Sequence, residues 1–176
     1  MKRYINLLSD INDINDDVIN VEDMMFVEYT FKPHTREELI DIIHDRMLEN
    51  QEAPYLLDID TSEITDMRYL FSVFHWSCHL HYIDANPRYL KKLDLSTWDT
   101  SNVETMYDLF WGCTKLEVIE GLQNWDLSKC KSFSSMFYNC KNLTDIDLSK
   151  FKKHSRRMMC SFNRANTAII PDWYID

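Results

Sequence analysis

Glycine is scarce in this sequence, and its scarcity excludes several classes of site. The 176 residues include only two glycines, Gly112 and Gly121. A Rossmann fingerprint, a Walker loop and a nucleophile elbow each need more glycines, at spacings that do not occur here. Nucleotide-dependent chemistry on those folds is therefore excluded, and no cofactor is predicted.

Long apolar runs and secretory features are also missing. No window approaches the roughly 18 apolar residues of a membrane-spanning helix, and the opening MKRYINLLSDIND lacks the apolar stretch of a signal peptide. The five cysteines are an odd number without a secretory signal, so they are expected to be reduced thiols. We therefore expect a cytoplasmic protein, of a bacterium or of a phage-infected host cell, with no membrane association.

Basic residues are fewer than acidic ones, and the excess of acidic residues is unevenly distributed along the chain. The chain carries 29 acidic and 19 basic residues, a net charge of −10, of which residues 1–53 contribute −8 and residues 54–176 contribute −2. Because neutralising phosphates requires Lys and Arg, direct nucleic-acid binding is not expected. The acidic segment favours solubility and a basic partner. A second interpretation is that it imitates the charge of nucleic acid.

A repeat runs through the second half of the chain, and apolar residues, at 45 %, are plentiful enough to fill a core. Apolar residues occupy the first, fourth, fifth and eighth positions of four blocks, with the one exception of Ser161, and this pattern predicts a short helix for each block. These blocks are 67–74 (MRYLFSVF), 106–113 (MYDLFWGC), 133–140 (FSSMFYNC) and 158–165 (MMCSFNRA). Between them, LKKLDLSTW and LTDIDLSKF share an alternation that predicts a short strand. The spacing of the copies is 27 residues from Trp98 to Trp125 and 26 from Trp125 to Phe151.

The segment LDLSTWDTSNVETMYDLFWGCTKL resembles the repeat of about 26 residues found in BspA-like leucine-rich-repeat proteins. The resemblance covers about residues 54–173. It implies an α/β fold, a leucine-rich-repeat-like solenoid of about four strand–short-helix repeats, and a role in binding rather than catalysis. Members of that family are often bacterial surface proteins, so adhesion is an alternative function.

Residues 1–53 do not follow the repeat and predict an acidic N-terminal α/β cap on the solenoid of residues 54–176. MMFVEYTF (24–31) is rich in strand-forming residues. A helix is predicted over 35–50, because Thr35 and Glu38 have the spacing of a capping box. At the other end, IIPDW starts a fifth copy that lacks its helix. It is expected to fold back onto the fourth copy or to form a dimer contact, so the protein is a monomer or a dimer.

An insert at 75–89, HWSCHLHYIDANPRY, lengthens the first connection by about 12 residues relative to the later ones. Long loops are often binding loops. Large aromatic residues and Arg dominate interface energies, which guides the choice of residues within the insert and on the polar face. The predicted outward-facing, partner-binding residues are Trp76, His79, Tyr82, Arg88, Glu104, Arg156 and Arg157.

The same insert suggests a metal site as an alternative. Zinc accepts His and Cys ligands, and three of the six histidines lie within seven residues of the insert. The candidate ligands are His75, Cys78, His79 and His81. The opposing interpretation is that the neighbouring apolar residues pack and the histidines face water. KFKKHSRR (150–157) likewise predicts either a contact for phosphate or an acidic protein surface, or a solvated loop.

These features together predict a non-enzymatic protein–protein interaction module. The expected role is an intracellular binder or inhibitor of one specific protein, such as a host-defence protein. The alternatives are bacterial surface adhesion and a metal-dependent activity at the insert.

Overall fold

Short strands and helices separated by runs of turns make up the fold. The computed structural model describes residues 2–4, 26–78 and 84–174. The strands are β1 (Lys2–Tyr4), β2 (Phe26–Glu28), β3 (Lys92–Asp94) and β4 (Val118–Glu120). The α-helices are α1 (Arg36–Glu49) and α2 (Val73–Cys78), and the 3₁₀ helices are Pro87–Tyr89, Leu122–Asn124, Ser149–Arg157 and Thr167–Ile169. Among these residues, no helix has the length and apolar character needed to cross a membrane.

Helix α1 lies within the range where the sequence predicts a helix, 35–50. Thr35 caps it, because the Thr35 hydroxyl accepts a hydrogen bond from the Glu38 N–H at 3.2 Å. Glu38 in turn accepts from the His34 N–H at 2.7 Å. One face of α1 is buried and supplies Leu39, Ile40, Ile43 and Met47 to the core.

The chain before α1 is hydrogen-bonded to the turns that follow it. The Thr30 N–H donates to the Asp58 carbonyl, and the Asp60 N–H donates to the Phe31 carbonyl, both at 2.8 Å. The Arg46 guanidinium on α1 also contacts the Asp58 carboxylate at 2.7 Å. This segment therefore lies against the beginning of the repeated region.

The expected leucine-rich-repeat-like solenoid of four strand–short-helix repeats is wrong. Within the described ranges, β3 with β4 is the one pair of parallel strands, and each has three residues. The blocks 106–113, 133–140 and 158–165 consist of turns rather than helices. In the block 67–74, only the last two residues belong to a helix, the start of α2.

Left-handed backbone conformations explain why these blocks are not helices. Tyr69, Asp108, Ser135 and Cys160 occupy the same position in the four blocks, and all have φ between 55° and 65°. A residue with positive φ cannot continue a right-handed helix, so the chain forms successive tight turns instead. In the second block these turns are closed by hydrogen bonds from the Leu109, Trp111 and Cys113 N–H groups to the carbonyls three residues earlier.

Successive blocks are joined by a parallel backbone hydrogen-bond ladder. The Phe71 N–H donates to Leu109 O at 2.9 Å, and the Phe110 N–H donates to Met136 O at 3.0 Å. The Phe137 N–H then donates to Ser161 O at 3.0 Å. Every second residue of a block repeats this pattern toward the next block, so the four blocks stack in register.

The stacking aligns identical side chains into a continuous core. The rings of Phe71, Phe110, Phe137 and Phe162 lie face to face with centroids 5.5–5.6 Å apart. All four apolar positions are buried in the second and third blocks. The C-terminal residues fold back onto this core, as expected, since Ile169 is buried and Tyr174 packs edge-on against Phe162 at 4.7 Å.

The two glycines differ in how much space surrounds them. Alanine substitutions at the two positions can therefore be compared to test how closely the backbone packs there. A Cβ on Gly121, at φ +94°, would lie 2.4 Å from the backbone of Ser96. A Cβ on Gly112, at φ +79°, would lie 3.3 Å from the side chain of Val73.

Gly121→Ala should lower the free energy of unfolding by about 3–5 kcal/mol, because it adds a backbone clash to the strain of positive φ. Gly112→Ala should cost only about 1–2 kcal/mol. Urea denaturation of both variants tests this, and equal losses would contradict the proposed packing.

Candidate functional site

Aromatic side chains form a row along the outer edge of the stacked turns. In the second and third blocks, the residue after the core phenylalanine is partly exposed, whereas Ser72, which follows Phe71, is buried. Trp111 follows Phe110, and Tyr138 follows Phe137. Phe74, at the start of α2, joins the same row and is 61 % exposed. We call Phe74, Trp111, Tyr138 and Arg164 the aromatic band.

Members of the aromatic band contact one another in sequence. Phe74 meets Trp111 edge-on, with ring centroids 5.7 Å apart. Trp111 stacks on Tyr138 with parallel rings at 5.4 Å. The Arg164 guanidinium lies 5.9 Å from the centre of the Tyr138 ring, within the range of a cation–π contact. The band therefore presents a continuous aromatic surface that ends in a cation.

A second aromatic group consists of Tyr69 in the first turn block, Tyr107 in the second, and His75 in α2. The Tyr69 ring stacks on His75 at 5.1 Å and meets Tyr107 edge-on at 5.6 Å. Tyr69 adopts positive φ, which is uncommon for a bulky residue. The ring contacts with His75 and Tyr107 accompany this conformation.

Backbone hydrogen bonds of the ladder hold the aromatic band in place. The Val73 N–H donates to Trp111 O at 2.9 Å, and the Gly112 N–H donates to Tyr138 O at 2.8 Å. Trp111 and Tyr138 are thus each tied to the preceding block at their own carbonyl. Because the backbone beneath the rings is fixed, little conformational entropy remains to be lost when a ligand binds.

Asp108 is the titratable group whose environment is most unusual near the band. The Asp108 carbonyl accepts from the Trp111 N–H at 3.1 Å. The Asp108 side chain is half-buried, and its Oδ1 is buried without a hydrogen-bond partner among the described residues. This burial raises the pKa of the Asp108 carboxyl to about 6, although a hydrogen bond with Ser135 opposes the shift. The charge of Asp108 in turn raises the pKa of Tyr107.

The predicted partner-binding residues are scattered in the structure. Trp76 was expected to face outward, and this expectation is wrong: Trp76 is 1 % exposed, and its indole N–H donates to Leu70 O at 2.9 Å. Trp76 is buried because α2 turns that face toward the core. Arg88 and Glu104 are exposed, and Glu104 forms an ion pair with Lys131 at 2.6 Å. That cation lowers the pKa of Glu104.

The remaining predicted residues lie outside the described part of the structure. His79 and Tyr82 fall between the described ranges, and the structure does not describe the side chains of Arg156 and Arg157. Their role in partner binding therefore stays a prediction.

The predicted metal site is not assembled from the described residues. His75 packs against Tyr69, while the Cys78 side chain, His79 and His81 lie outside the description. Over the described ranges, no group of three or more His, Cys, Asp or Glu residues is placed to hold a metal ion. The metal hypothesis stays a prediction.

Two cysteines of the repeat are structural. The Cys113 thiol donates to Phe71 O at 3.0 Å, and the Cys140 thiol donates to Phe110 O at 3.1 Å. Burial raises the pKa of Cys113, and it raises that of Cys140 to about 12. Both thiols are therefore protonated at neutral pH and do not act as nucleophiles.

Sequence reasoning missed the aromatic band, although a signal for it was present. In two blocks, an aromatic residue follows the core phenylalanine directly, as Phe110–Trp111 and Phe137–Tyr138. If the blocks are assumed to be helices, the pattern does not predict that Trp111 and Tyr138 contact each other. In the stacked turns the two rings lie at equivalent positions of neighbouring blocks and stack. Phe74 was assigned to the core, yet it is exposed because α2 begins one residue before it.

The comparisons with known proteins give one match. A model of the family described as "Mycoplasma protein of unknown function, DUF285" matches residues 78–173, more than half of the chain. Neither the curated proteins nor the solved structures contain a match. The resemblance to BspA-like leucine-rich repeats stays a prediction.

The pKa of Asp108 predicts a pH-dependent stability. An unfolded aspartate titrates near 3.9, so the folded protein binds more protons than the unfolded chain between about pH 4 and 6. Stability is therefore lost as the pH rises through that window. Asp108→Asn should remove this loss and stabilise the protein at pH 7.5 by roughly 1 kcal/mol, discounted for solvent exposure.

Urea denaturation of wild type and Asp108→Asn at pH 5 and pH 7.5 checks this. The advantage of the variant should be larger at pH 7.5. An advantage that does not change between the two pH values would contradict the prediction.

Proposed function

This chain belongs to the DUF285 family, and we propose that it is a non-enzymatic module that binds another protein through the aromatic band. Three members of the band, Trp111, Tyr138 and Arg164, lie within the matched range. The family description names no activity, so the proposal rests on the chemistry of the surface itself.

The observation that carries the proposal is the contiguity of the band. Trp, Tyr and Arg are the residues that most often dominate the energy of protein interfaces. Here a tryptophan, a tyrosine and an arginine contact each other in one row, and an exposed phenylalanine extends it. Phe74 is exposed, while Trp111 and Tyr138 are partly buried. A partner that covers the area still exposed gains apolar burial and aromatic contacts.

Rigidity of the band supports the same proposal. The rings pack on one another, and the backbone below them is hydrogen-bonded from block to block. Aromatic side chains have only two rotatable bonds, so ordering them on binding costs little entropy. A preorganised aromatic surface therefore suits specific binding to a folded or extended protein segment.

Charge favours a protein partner over nucleic acid. Aromatic rings and Arg also stack on bases, but non-specific binding to single strands needs a positively charged groove along the backbone. The chain carries a net charge of −10. Ion pairs such as Glu104–Lys131 further neutralise the lysines of the repeated region.

Affinity capture from lysate of the source cell tests the proposal. Immobilised wild type is compared with a Phe74→Ser/Trp111→Ser variant at low and at high salt, and bound proteins are identified by mass spectrometry. Wild type should retain one protein in near-stoichiometric amount. The band variant should lose it, because removing two aromatic anchors costs about 2 kcal/mol or more each.

A matched control removes an exposed aromatic residue elsewhere. Tyr89 is 43 % exposed and lies outside the band, so Tyr89→Ser should retain the same protein as wild type. Thermal melting shows that each variant is folded. Capture of nothing, or equal capture by the band variant and wild type, would contradict the proposal.

A further inference from the structure

A cavity opens where a second series of stacked turns, separate from the four blocks, comes to an end. The segments Asp60–Ser62, Asp99–Ser101 and Asp126–Ser128 each form the same turn, in which an Asp side chain accepts from the Ser N–H. The central threonines join neighbouring turns: the Thr61 hydroxyl donates to Asp99 O at 2.9 Å, and the Thr100 hydroxyl donates to Asp126 O at 3.0 Å.

The third turn cannot extend this series. Its central residue is Leu127, which has no hydroxyl to donate. In the next copy, the residues at this position belong to the 3₁₀ helix Ser149–Arg157, which itself begins with an Asp147–Ser149 turn. A cavity of about 440 Å³ lies between them, lined by residues 124–128 together with Lys150, Lys153 and His154. This volume lies within the range of small-molecule sites, and the cavity is broadly open to solvent.

Two lysines of the cavity lie on one edge of the 3₁₀ helix. Side chains three residues apart eclipse in a 3₁₀ helix, so Lys150 and Lys153 point the same way. Both are exposed and line the cavity. Neither forms an ion pair with any residue in the described ranges. By contrast, four other lysines are paired with glutamates, as Lys32–Glu63, Lys91–Glu52, Lys92–Glu120 and Lys131–Glu104.

The opposite wall supplies hydrogen-bonding groups and an aromatic ring. Trp125 is 2 % exposed, and its indole N–H has no hydrogen-bond partner within the part of the chain that is described. Its counterpart in the preceding copy, Trp98, donates the equivalent N–H to Leu56 O at 3.1 Å. Asp126 lines the cavity as an exposed carboxylate, and Asn124 and Ser128 add polar side chains.

We propose that this cavity binds a phosphate monoester of a small hydroxylated molecule. A phosphate monoester carries a charge close to −2 at neutral pH, which matches the two unpaired lysines. The cavity has more room than a phosphate group alone requires. The Asp126 carboxylate would repel a second anion but accepts hydrogen bonds from hydroxyl groups, which places the hydroxylated part of the ligand beside it. This site is separate from the aromatic band and does not depend on its function.

Isothermal titration calorimetry with four probes tests the proposal. Ribose 5-phosphate and glucose 6-phosphate are the phosphate monoesters. Ribose supplies the hydroxyl groups without the phosphate, and inorganic phosphate supplies the anion without the sugar. At least one sugar phosphate should bind saturably and more tightly than both ribose and inorganic phosphate. Lys150→Gln and Lys153→Gln should each weaken that binding about tenfold, because each removes a charge-assisted contact.

The control is Lys141→Gln, since Lys141 is an exposed lysine outside the cavity. It should bind as wild type does. A second readout is the indole N–H resonance of Trp125, assigned through Trp125→Phe, which should shift on saturation. The proposal is overturned if neither sugar phosphate binds, if ribose or inorganic phosphate binds as tightly, or if the two cavity variants bind like wild type.

Discussion

The backbone hydrogen-bond ladder between successive turn blocks is the interaction on which the rest of the structure depends. A tight turn leaves half of its amides and carbonyls pointing away from the turn itself, and these groups must be paired when buried. Here the Phe71, Phe110 and Phe137 N–H groups each find a carbonyl in the next block. The ladder thereby fixes the spacing at which the core rings stack, and it also sets the spacing of Trp111 and Tyr138 at the edge of the stack.

Core and surface are thus two consequences of one register. Phe110 and Phe137 belong to the buried phenylalanine stack, whereas the residues that follow them, Trp111 and Tyr138, form the centre of the aromatic band. The ladder that buries Phe110 also holds Trp111. The cavity lies where the series of turns linked by Thr61 and Thr100 ends at Leu127, while the blocks themselves stay in register. The aromatic band thus follows from the ladder between blocks, and the cavity follows from the end of this turn series.

Much of the core could be predicted from the sequence, but the backbone that carries it could not. The positions chosen as apolar in the blocks 106–113 and 133–140 are all buried, because stacked turns and a two-turn helix place the same four positions inward. The difference lies in Asp108 and Ser135, whose positive φ is not marked by glycine. The band depends on that backbone, and neither the apolar pattern of the blocks nor the composition of the insert marks Trp111 rather than the buried Trp76 as a surface residue.

The direction of the ladder gives the stack a polarity. Within the blocks, every ladder N–H described above points toward the C-terminal neighbour, while just before the blocks the Glu104 and Lys131 N–H groups donate back to Thr65 O and Glu104 O. The two sides of a junction therefore carry different sets of donors and acceptors. Two blocks can join head to tail but not head to head. A gene duplication that inserts one whole copy would recreate the same junction on both of its flanks. The number of copies, and with it the length of the aromatic band, can therefore change during evolution without substitutions in the first or the last block.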